Sequence, residues 1–153
     1  MKTMKSAMLA IAACATVAMP SAAAADPVIG NAENIRKLDI MLMVTSLRCR
    51  NGADNFQADY RKFSATHIAT LNRAGRHLQS NLTHRHGSRG AKRALDKISV
   101  GMANEYGQGH PWLECAELKQ VTRDLTAERD KTELSAAATQ LLSNQPLGRW
   151  AAR

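Results

Sequence analysis

Apolar residues recur at every third or fourth position along most of this chain, and that spacing is typical of amphipathic helices. The clearest stretch continues for about seven turns, through Phe56, Tyr60, Phe63, His67, Leu71, Ala74, Leu78 and Leu82. It predicts a long helix that buries one face. Asp54 and Gln57 match a capping box at its start, and the helix is expected to end before Gly87.

Shorter stretches with the same spacing flank this helix. Residues 31–48 predict a first helix, with inward positions at Ile35, Leu38, Leu42 and Cys49. Residues 86–90, rich in glycine, predict a loop. Residues 91–106 predict a third helix, with inward positions at Ala91, Leu95, Ile98, Met102 and Tyr106.

A fourth helix is expected after the glycines that follow Tyr106. Pro111 suits its first turn, because proline lacks only an N–H that has no partner there. Its apolar stripe continues through Leu113, Leu118, Val121 and Leu125. The charged residues 128–133 predict an exposed or broken stretch, and residues 134–142 predict a last short helix. No strand-like alternation occurs, so the fold class is all-α, a small bundle of about four helices in one domain, residues 26–153.

The N-terminus has the features of a secretory signal peptide. Lys2 and Lys5 precede an apolar run at residues 7–19, Pro20 interrupts the run, and four alanines end at Ala25. Residues 1–25 therefore predict a leader cut near Ala25 and a periplasmic or secreted product without a transmembrane segment. A second interpretation stays open, because residues 11–14 resemble a lipobox in which Cys14 is acylated.

Export would leave Cys49 and Cys115 as the two cysteines of the mature chain. In an oxidising compartment two cysteines are expected to pair. A close Cys-x-x-Cys spacing, typical of redox-active pairs, is absent. We therefore predict a structural disulfide between the end of the first helix and the start of the fourth.

Positive charge is concentrated in one segment. The chain carries 21 Lys and Arg against 13 Asp and Glu, a net charge of +8. Residues 73–97 hold seven bases and one acid, and the rest of the chain after the leader is neutral. One interpretation is a site for phosphate-bearing partners, with Arg85, Arg89, Lys92 and Arg93 as the contact residues. The other is a solvated face that favours solubility and complements the end of a helix.

The nature of the anionic partner can be narrowed by composition. Phe63 is the only aromatic residue between residues 61 and 105, so no stacking platform accompanies the charge and nucleic acid is not favoured. Anionic lipid or lipopolysaccharide is the expected partner. The oligomeric state is not indicated by the sequence.

Histidines supply the remaining candidate chemistry. His77, His84 and His86 suggest a metal site, but no acid or cysteine lies near them to complete it, so no metal or other cofactor is predicted. His67 lies on the apolar stripe, where a buried, hydrogen-bonded ring is expected. His110 and Glu114 could form an acid–base pair in a small hydrolase or lyase, or could simply lie in a corner between two helices.

Several segments resemble a group of small exported sphingomonad-type alphaproteobacterial proteins of uncharacterised role. The similar segments are residues 47–50, 54–60, 95–104 and 106–107, followed by Cys115. Some members carry the name S-adenosylhomocysteine hydrolase. This chain is too short for that enzyme and lacks the strand–Gly-x-Gly-x-x-Gly–helix unit that holds a dinucleotide. The resemblance implies export and supplies no active-site residues. Because the sequence has a basic segment and no catalytic signature, the leading prediction is a non-enzymatic periplasmic binding or accessory module with a basic face for an anionic partner.

Overall fold

The computed structural model describes residues 27–143, which form helices joined by short connections and contain no strand. The helices are α1 (Pro27–Arg48), α2 (Gln57–Tyr106), α3 (Cys115–Ala127) and α4 (Lys131–Leu141), with a short 3-10 turn at Cys49–Asn51. The prediction of an all-α bundle with one disulfide is confirmed. The predicted leader and Cys14 lie outside the described residues.

The core forms where the apolar stripes of the helices meet. The core residues on and next to α1 and α2 include those that the spacing predicts to be inward, such as Leu38, Leu42, Phe56 and Phe63. Both α3 and α4 cover these faces, and the core residues that they contribute include Leu118, Val121, Leu125, Leu134 and Leu141. Burial of each such side chain stabilises the fold by roughly 1.5–3 kcal/mol relative to its exposure.

A sharp bend at Gly87 divides α2 into two arms, residues 57–86 and 88–106. Gly87 has φ +66° and ψ 170°, which differs from helical geometry. The arms fold back on each other and bury a second small cluster of Leu78, Leu82 and Ala91, against which Leu95 and Ile98 pack. We call this unit the α2 hairpin.

The hairpin corner is tighter than the predicted loop. Residues 86–90 were expected to be irregular, yet only Gly87 departs from helical geometry. A Cβ atom on Gly90 would lie 2.6 Å from the Cβ of His86, so the close approach of the two arms requires glycine there. Two glycines three residues apart therefore replace a loop.

Two predicted helix starts are wrong. The Asp54 capping box does not form: Phe56 is the N-cap of α2, and the side chain of Asn55 accepts the backbone N–H of Gln57 at 3.0 Å. Pro111 is not in the first turn of a helix, because α3 begins at Cys115. Residues 107–114 form an irregular connection between α2 and α3, and Leu113 within it is buried.

The true start of α3 is fixed by two acidic residues. The carboxylate of Glu114 accepts a backbone N–H of the first turn, and the Glu117 carboxylate accepts the backbone N–H of Glu114 at 2.8 Å. This reciprocal pair satisfies two N–H groups that a helix leaves without partners. The last helix begins earlier than predicted, at Lys131, because the Asp130 side chain caps it.

The disulfide joins Cys49 and Cys115, whose Cα atoms are 5.8 Å apart. It ties the turn that follows α1 to the first residue of α3, so the whole α2 hairpin lies within the loop that the bond closes. Among the described helices, none has the length and apolar character needed to cross a membrane.

Candidate functional site

The predicted contact residues gather at the bend of the α2 hairpin. Arg85 lies on the first arm just before Gly87, and Arg89, Lys92 and Arg93 lie on the second arm just after it. All four side chains are exposed. Leu82 and Ala91 point into the hairpin's own core, which leaves the solvent side of both arms to the charged residues. We call residues 84–93 the hairpin end.

No Asp or Glu lies within the hairpin end, and Asp96, one helical turn after Lys92, forms no ion pair with its bases. The sequence contains no Asp or Glu between Asp59 and Asp96. The ion pairs within residues 27–143 all involve other bases, namely Arg36, Lys37, Lys119 and Arg123. The hairpin end therefore presents four bases to solvent without an ion-pair partner among the described residues.

Apolar side chains do not accompany this charge. The large hydrophobic residues that are exposed in the described part of the chain are Met43, Leu47, Ile68 and Val100, all outside the hairpin end. A contact made by the hairpin end would therefore be electrostatic, without an apolar side chain to insert into a partner.

The histidines near the hairpin end do not form a metal site. His77, His84 and His86 are exposed. In residues 27–143 no group of three or more His, Cys, Asp or Glu side chains is arranged to hold a metal ion. His67 instead is buried, and its Nε2 lies 2.8 Å from the carbonyl oxygen of Leu125, as expected for a histidine on the apolar stripe.

The structure does not pair His110 with Glu114. The Nε2 atom of His110 lies 2.8 Å from the carbonyl oxygen of Leu141, and the Glu114 carboxylate caps α3. Both residues line a cavity of about 110 Å³ beside the disulfide. That volume is below the roughly 300 Å³ typical of small-molecule sites. Each of the two side chains therefore has a structural partner of its own.

His110 anchors this corner to the end of α4. Its ring packs edge-on against Trp112, with ring centroids 4.7 Å apart, and the indole Nε1 donates to the carbonyl oxygen of Ser143 at 3.0 Å. Burial lowers the pKa of His110, while its bond to the Leu141 carbonyl and the charge of Glu117 act in the opposite direction.

The lowered pKa of His110 predicts a pH-dependent stability. As the pH falls below about 6.5, the unfolded chain binds a proton at this position more readily than the folded chain does, so the free energy of unfolding decreases. His110→Gln keeps a donor for the Leu141 carbonyl and does not titrate. Chemical denaturation at about pH 7.5 and pH 5.5 should show a smaller loss in His110→Gln than in wild type. The exposed His77→Gln should behave as wild type, and equal losses in all three proteins would refute the prediction.

A larger cavity, of about 500 Å³, lies between α2 and α3 and was not predicted from the sequence. Lys62 and Thr66 line it from the first arm of α2, and Arg123 and Arg129 line it from α3 and the residues that follow. These positions are about 60 residues apart along the chain and share no local motif, so only the charge of residues 128–133 hinted at a polar surface there.

Comparison of the chain with protein-family models, with curated proteins and with solved structures finds no match, so function has to be inferred from the residues of this chain.

Proposed function

We propose that this protein is an exported, non-enzymatic accessory module of the cell envelope, and that its hairpin end binds phosphate-bearing lipid headgroups. Anionic phospholipid and lipopolysaccharide both present this chemistry. The observation that carries the proposal is the exposure of Arg85, Arg89, Lys92 and Arg93 around one bend, without an ion-pair partner in residues 27–143.

The expected affinity follows from the number of bases. Each Lys or Arg near an anionic membrane surface contributes about 1 kcal/mol. Four of them together would strengthen binding roughly a thousandfold over that of an uncharged surface. Because the hairpin end has no exposed large apolar side chain, this binding should be peripheral and should disappear when salt screens the charges.

Export is the second part of the proposal. A leader at residues 1–25 would carry the chain to the compartment where anionic lipid and lipopolysaccharide are exposed. The same compartment favours the disulfide between Cys49 and Cys115.

Vesicle flotation tests the binding directly. At low salt, wild type should float with vesicles that contain phosphatidylglycerol or lipopolysaccharide. It should not bind these vesicles in about 0.5 M salt, and it should not bind zwitterionic vesicles. Replacing the four bases of the hairpin end by serine (Arg85→Ser, Arg89→Ser, Lys92→Ser, Arg93→Ser) should abolish flotation. We call this protein the hairpin variant.

A matched control separates the hairpin end from total charge. Four exposed bases elsewhere (Arg50→Ser, Arg61→Ser, Lys62→Ser, Lys131→Ser) reduce the net charge by the same amount. This control variant should retain most of the wild-type binding to anionic vesicles. The proposal fails if wild type does not bind at low salt, or if both variants lose binding equally.

A further inference from the structure

The cavity between α2 and α3 continues into a second one, and together they form a groove. The larger cavity, about 500 Å³, is lined by Asp59, Lys62, Thr66, Arg123, Thr126 and Arg129 among others. The smaller, about 130 Å³, shares Thr66 and Arg129 with it and extends to His67 and the corner between α3 and α4. The combined volume is in the range of small-molecule sites, about 300–1,000 Å³.

One end of the groove is positively charged. Arg123 is neutralised, because its Nε donates to the Asp59 carboxylate at 3.0 Å. Lys62 and Arg129 are in no ion pair within residues 27–143. The Glu128 carboxylate accepts the backbone N–H groups of Arg129 and Asp130, at 2.8 and 2.9 Å, and forms no ion pair with the Arg129 side chain. Two exposed bases on opposite walls therefore face an open cavity.

The smaller cavity is lined by Glu128, Asp130 and Lys131 as well as by His67, which offers a hydrogen-bond acceptor. The carbonyl oxygen of Leu125 can only accept, so the Nε2 of His67 carries a proton and donates to it at 2.8 Å. In the neutral ring this leaves Nδ1 of His67 as an acceptor, on a residue that is only 9% exposed and lines the smaller cavity. Thr126, which lines the larger cavity, donates its hydroxyl proton to the carbonyl oxygen of Thr122 at 2.7 Å, so its oxygen is available there as a further acceptor.

We propose that this groove binds a small hydroxycarboxylic acid. One carboxylate would lie between Lys62 and Arg129, where the planar guanidinium of arginine suits a carboxylate. In a diacid such as malate, the second carboxylate would lie near Lys131 in the smaller cavity. The hydroxyl of the acid would donate to Nδ1 of His67 in the smaller cavity or to the Thr126 oxygen in the larger one, and Thr66 lines both. This site is separate from the hairpin end and does not depend on its function.

Titration calorimetry and amide NMR shifts test the assignment with three probes: malate, succinate and inorganic phosphate. Succinate lacks the hydroxyl of malate. Malate should bind most tightly, with amide shifts confined to residues around the groove. Lys62→Ser with Arg129→Ser, both on exposed side chains, should weaken malate binding about a hundredfold, because both charged partners of one carboxylate are removed. The hairpin variant should bind malate as wild type does.

Two controls make the result decisive. Unchanged circular dichroism and vesicle binding of the groove variant would show that it is folded, so a loss of malate binding would belong to the groove. Thr66→Val, on an exposed position, should reduce the preference for malate over succinate. The proposal is overturned if no probe binds at about 10 mM, if phosphate binds better than both acids, or if the groove variant binds malate normally.

Discussion

Removal of the disulfide should lower the free energy of unfolding by about 4 kcal/mol. Cys49 and Cys115 are 66 residues apart, and their bond closes a loop that contains the whole α2 hairpin. In the unfolded chain the bond removes much of the freedom of that loop, so its loss makes the unfolded state more favourable. The effect is a large part of the roughly 5–15 kcal/mol that stabilises a domain of this size.

Urea denaturation of the oxidised protein and of Cys49→Ala with Cys115→Ala would measure this effect. Cys14→Ala should be present in both proteins, so that no third thiol can exchange with the bridge. Reducing agent should destabilise the oxidised protein to a similar degree and leave the double variant unchanged. If reduction alters the midpoint by an amount equivalent to less than about 1 kcal/mol, packing rather than the bridge holds α1 to α3.

The faces of the helices could be predicted from the sequence because burial repeats with the period of a helix. Phe63, His67, Leu78 and Met102 are all buried as their spacing indicates. The pairing of Cys49 with Cys115 was also predictable, since they are the only two cysteines in the sequence of residues 26–153. These features depend on local periodicity or on simple counting, and neither requires knowledge of contacts between distant residues.

The helix starts were harder to predict because capping depends on competition between neighbours. Asp54 and Asn55 are both good capping residues, and Asn55 prevails because it also donates to the Arg50 carbonyl at 2.9 Å. At the start of α3, Pro111 is a familiar signal, but Glu114 and Glu117 form the reciprocal cap instead. Glutamate is not among the preferred N-cap residues, so this cap could not be predicted from residue preferences.

The two candidate sites also differ in how far they could be predicted from the sequence. The hairpin end could be predicted because its bases are close in sequence on both sides of a glycine-rich stretch. The groove could not, because Lys62 and Arg129 come together only when α3 packs against the first arm of α2. His110 and Glu114, which are close in sequence, line one small cavity, but tertiary packing gives each a different hydrogen-bond partner.

Replacement of Gly87 by alanine should destabilise the protein by about 1–3 kcal/mol and alter the hairpin end. With φ +66° and ψ 170°, Gly87 has a backbone conformation that is essentially restricted to glycine. No other atom lies within 4 Å of the Cβ that alanine would add, so the cost comes from the backbone alone and not from a clash. The arms would have to change direction to relieve it, and this would displace Arg89 relative to Arg85.

Gly75→Ala is the matched control for this prediction. Gly75 lies in the interior of the first arm of α2, with helical geometry and open space around its Cβ position. It should stabilise the protein by about 0.5–1 kcal/mol, since alanine loses less conformational freedom in a helix. Thermal denaturation should therefore move the two midpoints in opposite directions. Vesicle binding should weaken in Gly87→Ala and stay normal in Gly75→Ala, because only the former changes how the bases converge. If both variants are stabilised, the bend at Gly87 does not require glycine, and the convergence of charge at the hairpin end loses its structural basis.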